Sequence, residues 1–236
     1  MLVESIVFKR RLYVSAIRAT TLDMTATQTQ SEPRTRYHHG DLRAAMVRAT
    51  EQLITERGPE AVSVREVARR AGVSSGAPFH HFPTRQALMT AVAEAATHQL
   101  RQRVEAAVAD IPATKPARRM RAIARAYLRW VTDNPAQFKV VSDRRLIDYA
   151  ESIQRDDAAI QALMREVLRR AIRDGGKRAM DIDLAMLEMS AMAYGLARMH
   201  VDGHLPQWGV PGTDALERME SALDDLLARL MGKKAP

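Results

Sequence analysis

The sequence predicts an all-α fold, with a cluster of short helices near the N-terminus and longer helices behind it. Three observations carry this. Apolar residues recur at three- and four-residue intervals along most of the 236 residues, the spacing of one helix face. No segment alternates with period two, as a half-buried strand would, and there is no internal repeat. Capping residues alternate with glycines and prolines through residues 41–84 and cut that stretch into brief elements.

Asp41 is a good N-cap for the first helix. Leu42, Met46, Ala49, Leu53 and Ile54 form its apolar stripe, and Gly58-Pro59 stops it. Ser63 and Glu66 have the S-x-x-E spacing of a capping box and open a second helix. Val64, Val67 and Ala68 are its buried face. Gly72 ends it, at positive φ by expectation. Ser74 caps a third, very short helix. Pro78 lies inside that helix and removes a backbone donor, which favours a tight or partly 3₁₀ turn. Thr84 then caps a long fourth helix with Leu88, Val92, Ala95, Leu100 and Val104 on its apolar side. IPATKP, residues 111–116, breaks the chain. Helical periodicity resumes over residues 117–132, 135–146, 157–173 (stopped by Gly175-Gly176), 181–201 and 214–231.

Two short helices joined by a tight glycine turn, with a third buttressing them, have the layout of a helix-turn-helix. Its second helix enters the DNA major groove. Ala68 is small where the helices must cross. Gly76 and Ala77 are small at the start of the reading helix, so its backbone can approach DNA. Arg65 and Arg85 supply positive charge at the flanks. Arg85 falls in the first turn of the fourth helix, where free N–H groups favour a phosphate. A net charge of +8 suits a polyanionic partner.

The run AVSVREVARRAGVSSGAPFHHFPTRQAL resembles the DNA-binding domain of the TetR (tetracycline-repressor, AcrR-type) family of bacterial transcription regulators. Spacing and residue type agree across three helices, from about Tyr37 to Ala95. YHHGDLR is similar to the opening of one subset of that family. Beyond Ala95 only helix number and order are alike. The resemblance implies a flexible or misassigned arm at 1–36, a helix-turn-helix DNA-binding domain at 37–95, and an all-helical effector-binding and dimerisation domain at 96–236. It implies a DNA-facing set of Ser63, Arg65, Ser74, Ser75, Gly76, Ala77, Pro78, Phe79, His80, His81, Thr84 and Arg85, with His81 and Arg85 holding phosphates. Two departures stand out. Phe79 occupies a position where the family usually has tyrosine, and Pro78 one where it usually has leucine or another apolar residue.

The resemblance further implies a homodimer through the last two helices. Its two reading heads, about 34 Å apart, would meet a palindromic double-stranded DNA operator. It implies a small-molecule effector in the C-terminal domain and no cofactor. Methionine adapts to varied apolar ligands, so Met164, Met189 and Met192, with Met186 and Met199, are pocket candidates. Tyr127, Trp130, Phe138, Tyr149 and Tyr194 join them as a group, although core packing explains any one of them alone. The expected function is a sequence-specific transcriptional regulator, a ligand-responsive repressor. Its rival is an effector-independent or architectural DNA-binding dimer.

Other classes find little support. There is no cysteine, hence no disulfide, thiol nucleophile or Cys-ligated zinc; this fits a reducing cytoplasm. His80-His81 and His38-His39 are adjacent pairs whose side chains diverge by about 100° on a helix, poor geometry for a metal. No nucleophile–base spacing or phosphate-cradling glycine loop is present, so an enzyme or lipophilic carrier is not expected. Arg118, Arg121, Arg125 and Arg129 form a stripe opposite an apolar face and are expected to be solvated. No apolar run is long enough for a bilayer. Lys9, Arg10 and Arg11 interrupt the apolar start, and translation from Met24 would leave an ordinary polar leader.

Overall fold

The computed structural model describes residues 39–74, 76–174 and 181–230. The arm at 1–36, the Met24 start, Tyr37, His38, Ser75 and the Gly175-Gly176 stop lie outside them. The described residues form eight α-helices and no strand. α1 (His39–Arg57), α2 (Val64–Arg70) and the start of α3 (Arg85–Ala109) build the head, with a 3₁₀ turn, Ala77–His80, between α2 and α3. α4 (Pro116–Asp133), α5 (Pro135–Val141), α6 (Glu151–Asp174), α7 (Ile182–Val201) and α8 (Ala215–Leu230) complete the chain.

Local chemistry explains the ends of these helices. Ser63 Oγ accepts the Glu66 N–H at 3.2 Å and so caps α2. The reciprocal half of the expected capping box is not made. The Glu66 carboxylate is taken by Arg69 at 2.6 and 2.9 Å, one turn on, where a full charge outbids a neutral N–H. Gly72 closes the helix at φ +70°. Thr84 Oγ1 accepts the Ala87 N–H at 3.0 Å and caps α3. At the other end of α3, the Arg119 guanidinium donates to the carbonyls of Val108 and Ile111 at 3.1 and 2.7 Å. The Val108 carbonyl also takes the Asp110 and Ile111 N–H groups, so α4 adds a charged donor to the turn that closes α3.

Several boundaries differ from the sequence expectation. α1 begins at His39, so Asp41 lies within the helix rather than at its cap. The 3₁₀ turn is preceded by Gly76, so Ser74 does not cap it. α5 ends at Val141 instead of running on to Leu146. Asp143 ends it by accepting from the Arg145 backbone N–H at 3.0 Å and its guanidinium at 2.7 Å. That pairing holds the Asp143 carboxyl down to about 2. α6 begins at Glu151, six residues before the expected Asp157.

The head's core gathers Met46, Leu53, Val67, Ala68, Phe82 and Leu88. It also takes Ala136 and Val140 of α5 and Leu146, Ile147 and Ile153 beyond it. A second core joins Val104 of α3, Met120 and Ile123 of α4, Leu168 of α6, Met189 of α7 and Leu227 of α8. The arginine stripe of α4 is not simply solvated. Arg121 and Arg125 reach Asp224, and Arg125 and Arg129 reach Glu220, at 2.7–3.5 Å, forming a ladder to α8. Single exposed pairs contribute little, but a linked set fixes the angle between two helices.

A Cβ at Gly72 would meet no atom within 4 Å, so its need for glycine is purely conformational. Gly72→Ala should therefore lower the unfolding free energy by about 1–2 kcal/mol, and Gly72→Asn by less. Urea titration followed by circular dichroism measures both.

Candidate nucleic-acid interface and internal cavity

The head presents an exposed edge made of α2, the 3₁₀ turn and the start of α3. Arg65 is exposed on α2 and has no ion pair among the described residues. Ser74, Gly76, Phe79, His80, His81 and Thr84 are exposed as well. The turn is short because Pro78 has no N–H to donate and its carbonyl accepts twice, from His81 N–H at 3.0 Å and Phe82 N–H at 2.7 Å. Phe82 then drops into the core at 2% exposure and locks the turn down.

The expected DNA-facing residues divide into groups. Arg65, Ser74, Gly76, Phe79, His80 and His81 lie on the exposed edge. Ser63 and Thr84 are also exposed, but their hydroxyls serve as helix caps. Ala77 supplies the first residue of the turn, and Ser75 lies outside the described residues. Pro78 is buried, so it shapes the turn instead of facing a ligand. Arg85 does something the sequence did not suggest. Its Nε donates to the Val62 carbonyl at 3.1 Å and an Nη to the Pro59 carbonyl at 2.9 Å. It stitches the start of α3 to the α1–α2 connection, which commits two of its five donors to the fold.

Behind the head lies an apolar cavity of about 460 Å³, walled by α3, α4, α6 and α7. A second space of about 350 Å³ shares Leu100, Tyr127, Arg144, Asp157 and Tyr194 with it and extends towards α5. These sizes suit a small organic ligand. Of the expected pocket residues, Tyr127, Met164, Met189 and Tyr194 line the first space. Trp130 and Phe138 line the second, again with Tyr127 and Tyr194. Tyr149 stands beside them, its hydroxyl donating to Asp157 at 2.7 Å. Met192 packs elsewhere, against Leu128 and Met219. Met186 is core and Met199 joins the same cluster as Met192.

Leu100, Met120, Ile123 and Ile160 also line the cavity, and periodicity had marked most of them only as core. Arg144 and Asp157 are the charged lining residues that the sequence did not mark. Burial pushes the Tyr127 phenol up, with Tyr194 adding to it, so this hydroxyl stays protonated. Among the described residues no group of three or more His, Cys, Asp or Glu could hold a metal. No helix there is long and apolar enough to cross a membrane.

Comparison with known proteins decides the family. Residues 46–92 match the model for bacterial regulatory proteins of the tetR family. Residues 120–226 match the tetracyclin repressor-like C-terminal domain. The chain belongs to the TetR family. An uncharacterized HTH-type transcriptional regulator of Mycobacterium tuberculosis is 35% identical over 88 residues, 37% of this chain and 43% of that protein. An HTH-type transcriptional repressor of the same species is 37% identical over 89 residues, 37% of this chain and 47% of that protein. The chain thus spans less than half the length of these curated relatives. A TetR family transcriptional regulator, PfmR of Thermus thermophilus, has the same fold. It is 22% identical with a TM-score of 0.62, over 81% of this chain and 99% of that one.

Within this TetR-family head, Arg85→Ala should lower the unfolding free energy by about 1–2 kcal/mol, since it removes two hydrogen bonds from a charged donor. Arg85→Lys should restore only part of it, because an ammonium cannot fork to two carbonyls. Denaturant unfolding of the DNA-free protein checks this; a residue that only held phosphate would leave stability unchanged.

Proposed function

We propose that this TetR-family chain is a cytoplasmic, homodimeric, sequence-specific DNA-binding repressor. It would have no catalytic activity and would leave a palindromic operator when a small apolar or amphipathic effector binds. One observation carries the reading: α3 begins at the exposed turn of the head and continues into the wall of an apolar cavity. An occupant of the cavity therefore touches the same rigid helix that carries the reading turn. Repression, rather than activation, follows the relative named as a repressor.

The dimer has its own support. α7 exposes Leu184 at 53% and Leu187 at 64%, and Ala191 is exposed one turn further on. These positions fall on one side of the helix, and a second copy would remove that stripe from water. A single one-turn reading element offers few base contacts, so two copies on successive grooves are needed for useful specificity. The effector acts by population shift, and it must bind the DNA-released state more tightly than the DNA-bound one.

Fluorescence anisotropy over a salt series tests the function. The probes are DNA from upstream of the protein's own gene and a scrambled control. A preference of about a thousandfold is expected, and equal, salt-weakened binding to both would count against a specific regulator. Arg65→Ala should weaken binding and reduce the salt slope by about one unit if it meets a phosphate. The Leu184→Glu, Leu187→Glu double variant should sediment as a monomer and lose most operator affinity while keeping its helix content.

A further inference from the structure

Taking the cavity as the effector site proposed above, we infer that its ligand is an apolar chain ending in an anionic group, and that Arg144 receives that group. The cavity walls are otherwise hydrocarbon, thioether, aromatic and neutral polar. Arg144 and Asp157 are the charged side chains among the lining residues, and both stand where the two spaces meet. Arg144 is exposed at the mouth of the space, so a ligand seated there has its tail position set by the apolar walls and its polar end set by this pair.

The pair itself indicates the sign. Asp157 is already served, accepting the Tyr149 hydroxyl at 2.7 Å. Its contact with Arg144 is 3.6 Å, longer than the roughly 2.7–2.9 Å of a charge-assisted hydrogen bond. Arg144 lies over Tyr149, its guanidinium carbon 3.7 Å from the centre of the ring. Stacking uses the face of the guanidinium and leaves its in-plane donors for a planar anion. A carboxylate taken by two parallel N–H bonds replaces a loose ion pair with a tight one. A cationic ligand would have to displace Arg144 and share a carboxylate that Tyr149 already holds. Tyr127 lines both spaces and makes no hydrogen bond among the described residues. Its protonated hydroxyl adds a second donor further in.

Arg144 is also well placed to report its ligand. Two residues on, Leu146 and Ile147 are buried in the head's core. The Asp148 N–H donates to Thr90 Oγ1 at 2.9 Å, and the Asp148 carboxylate accepts from Gln86 at 2.8 Å. Turning Arg144 towards a ligand therefore pulls on the segment that anchors the first turns of α3.

Calorimetry of the full chain at neutral pH, below micelle concentration, tests this with decanoate, decanol and decyltrimethylammonium. Decanoate should bind about tenfold or more tightly than decanol, as one charge-assisted hydrogen bond would give. Arg144→Gln should erase that margin while leaving decanol binding intact. Asp157→Asn, which removes the competing carboxylate, should preserve or widen it and serves if the arginine variant misfolds. Equal binding of decanoate and decanol, preference for the ammonium, or no binding of any probe would overturn the assignment. Ligand-free DNA binding on the same preparation separates the two ideas. A chain that prefers decanoate but no DNA sinks the regulator reading alone. A chain that prefers its operator but not decanoate sinks this inference alone.

Discussion

α3 is the constraint on which the rest of the structure depends. It is 25 residues long and unbroken. Its first turns supply Leu88, Met89 and Val92 to the head's core, and its last turns supply Val104 and Val108 to the second. Between them Thr97 and Leu100 face the internal spaces. Both ends are tied chemically. Thr84 caps the start and Arg85 stitches it to the α1–α2 connection, while Arg119 of α4 holds the Val108 carbonyl near the end. A helix satisfied at both termini does not fray easily, so displacement at one end is carried to the other as movement of a rod.

The head does not close its own core. Ala136, Val140, Leu146, Ile147 and Ile153 come from chain well beyond α3 and pack among the residues of α1, α2 and the Phe82 turn. The segment after α5 thus belongs to two neighbourhoods. One side is buried beneath the head; the other carries Arg144 and Tyr149 to the cavity mouth. Further links run alongside. Glu94 of α3 accepts from Arg43 of α1 and from Ser152 of α6 at 2.9 and 2.6 Å. The buried Asp156 of α6 holds Arg101 of α3 at 2.6 Å. A partly buried pair like this costs desolvation and adds little net stability. Its effect is to fix the register of α6 against α3.

Much of this was legible in the sequence because it is written in local spacing. The Ser63 and Thr84 caps, the positive φ at Gly72 and the 3₁₀ character imposed by Pro78 each depend on residues within one turn. The aromatic and methionine residues of the cavity were legible as a group, since few elements were available to enclose them. The rest depended on partners distant in the chain. The bonds of Arg85 to the fold are not legible in the sequence because the carbonyls it binds lie 23 and 26 residues earlier. The ladder of the α4 arginines is likewise not legible because Glu220 and Asp224 lie 91 and 99 residues after their partners. Arg144 and Asp157 are not legible because helical spacing carries α5 on to Leu146 and starts α6 only at Asp157, whereas α5 ends at Val141 and α6 begins at Glu151.

The distribution of charge bears on how such a head recognises anything. A net charge of +8 suggests a broad basic face, yet many arginines are already spent within the fold. Arg69 and Arg70 go to Glu66 and Glu56, Arg101 to Asp156 and Glu105, and three arginines of α4 to α8. The exposed edge of the head carries Arg65, Arg69 with its Glu66 partner, His80, His81 and small or neutral residues. An edge of this kind gives modest non-specific attraction to a polyanion and relies on fit. In the proposed complex, fit would be sensitive to small rotations of α2 and the 3₁₀ turn against the groove, and those elements rest on α3. In the proposed mechanism a head held mainly by charge would tolerate a small displacement of α3, whereas one held by shape would not, so modest charge on the edge and a rigid helix running into the cavity wall belong together.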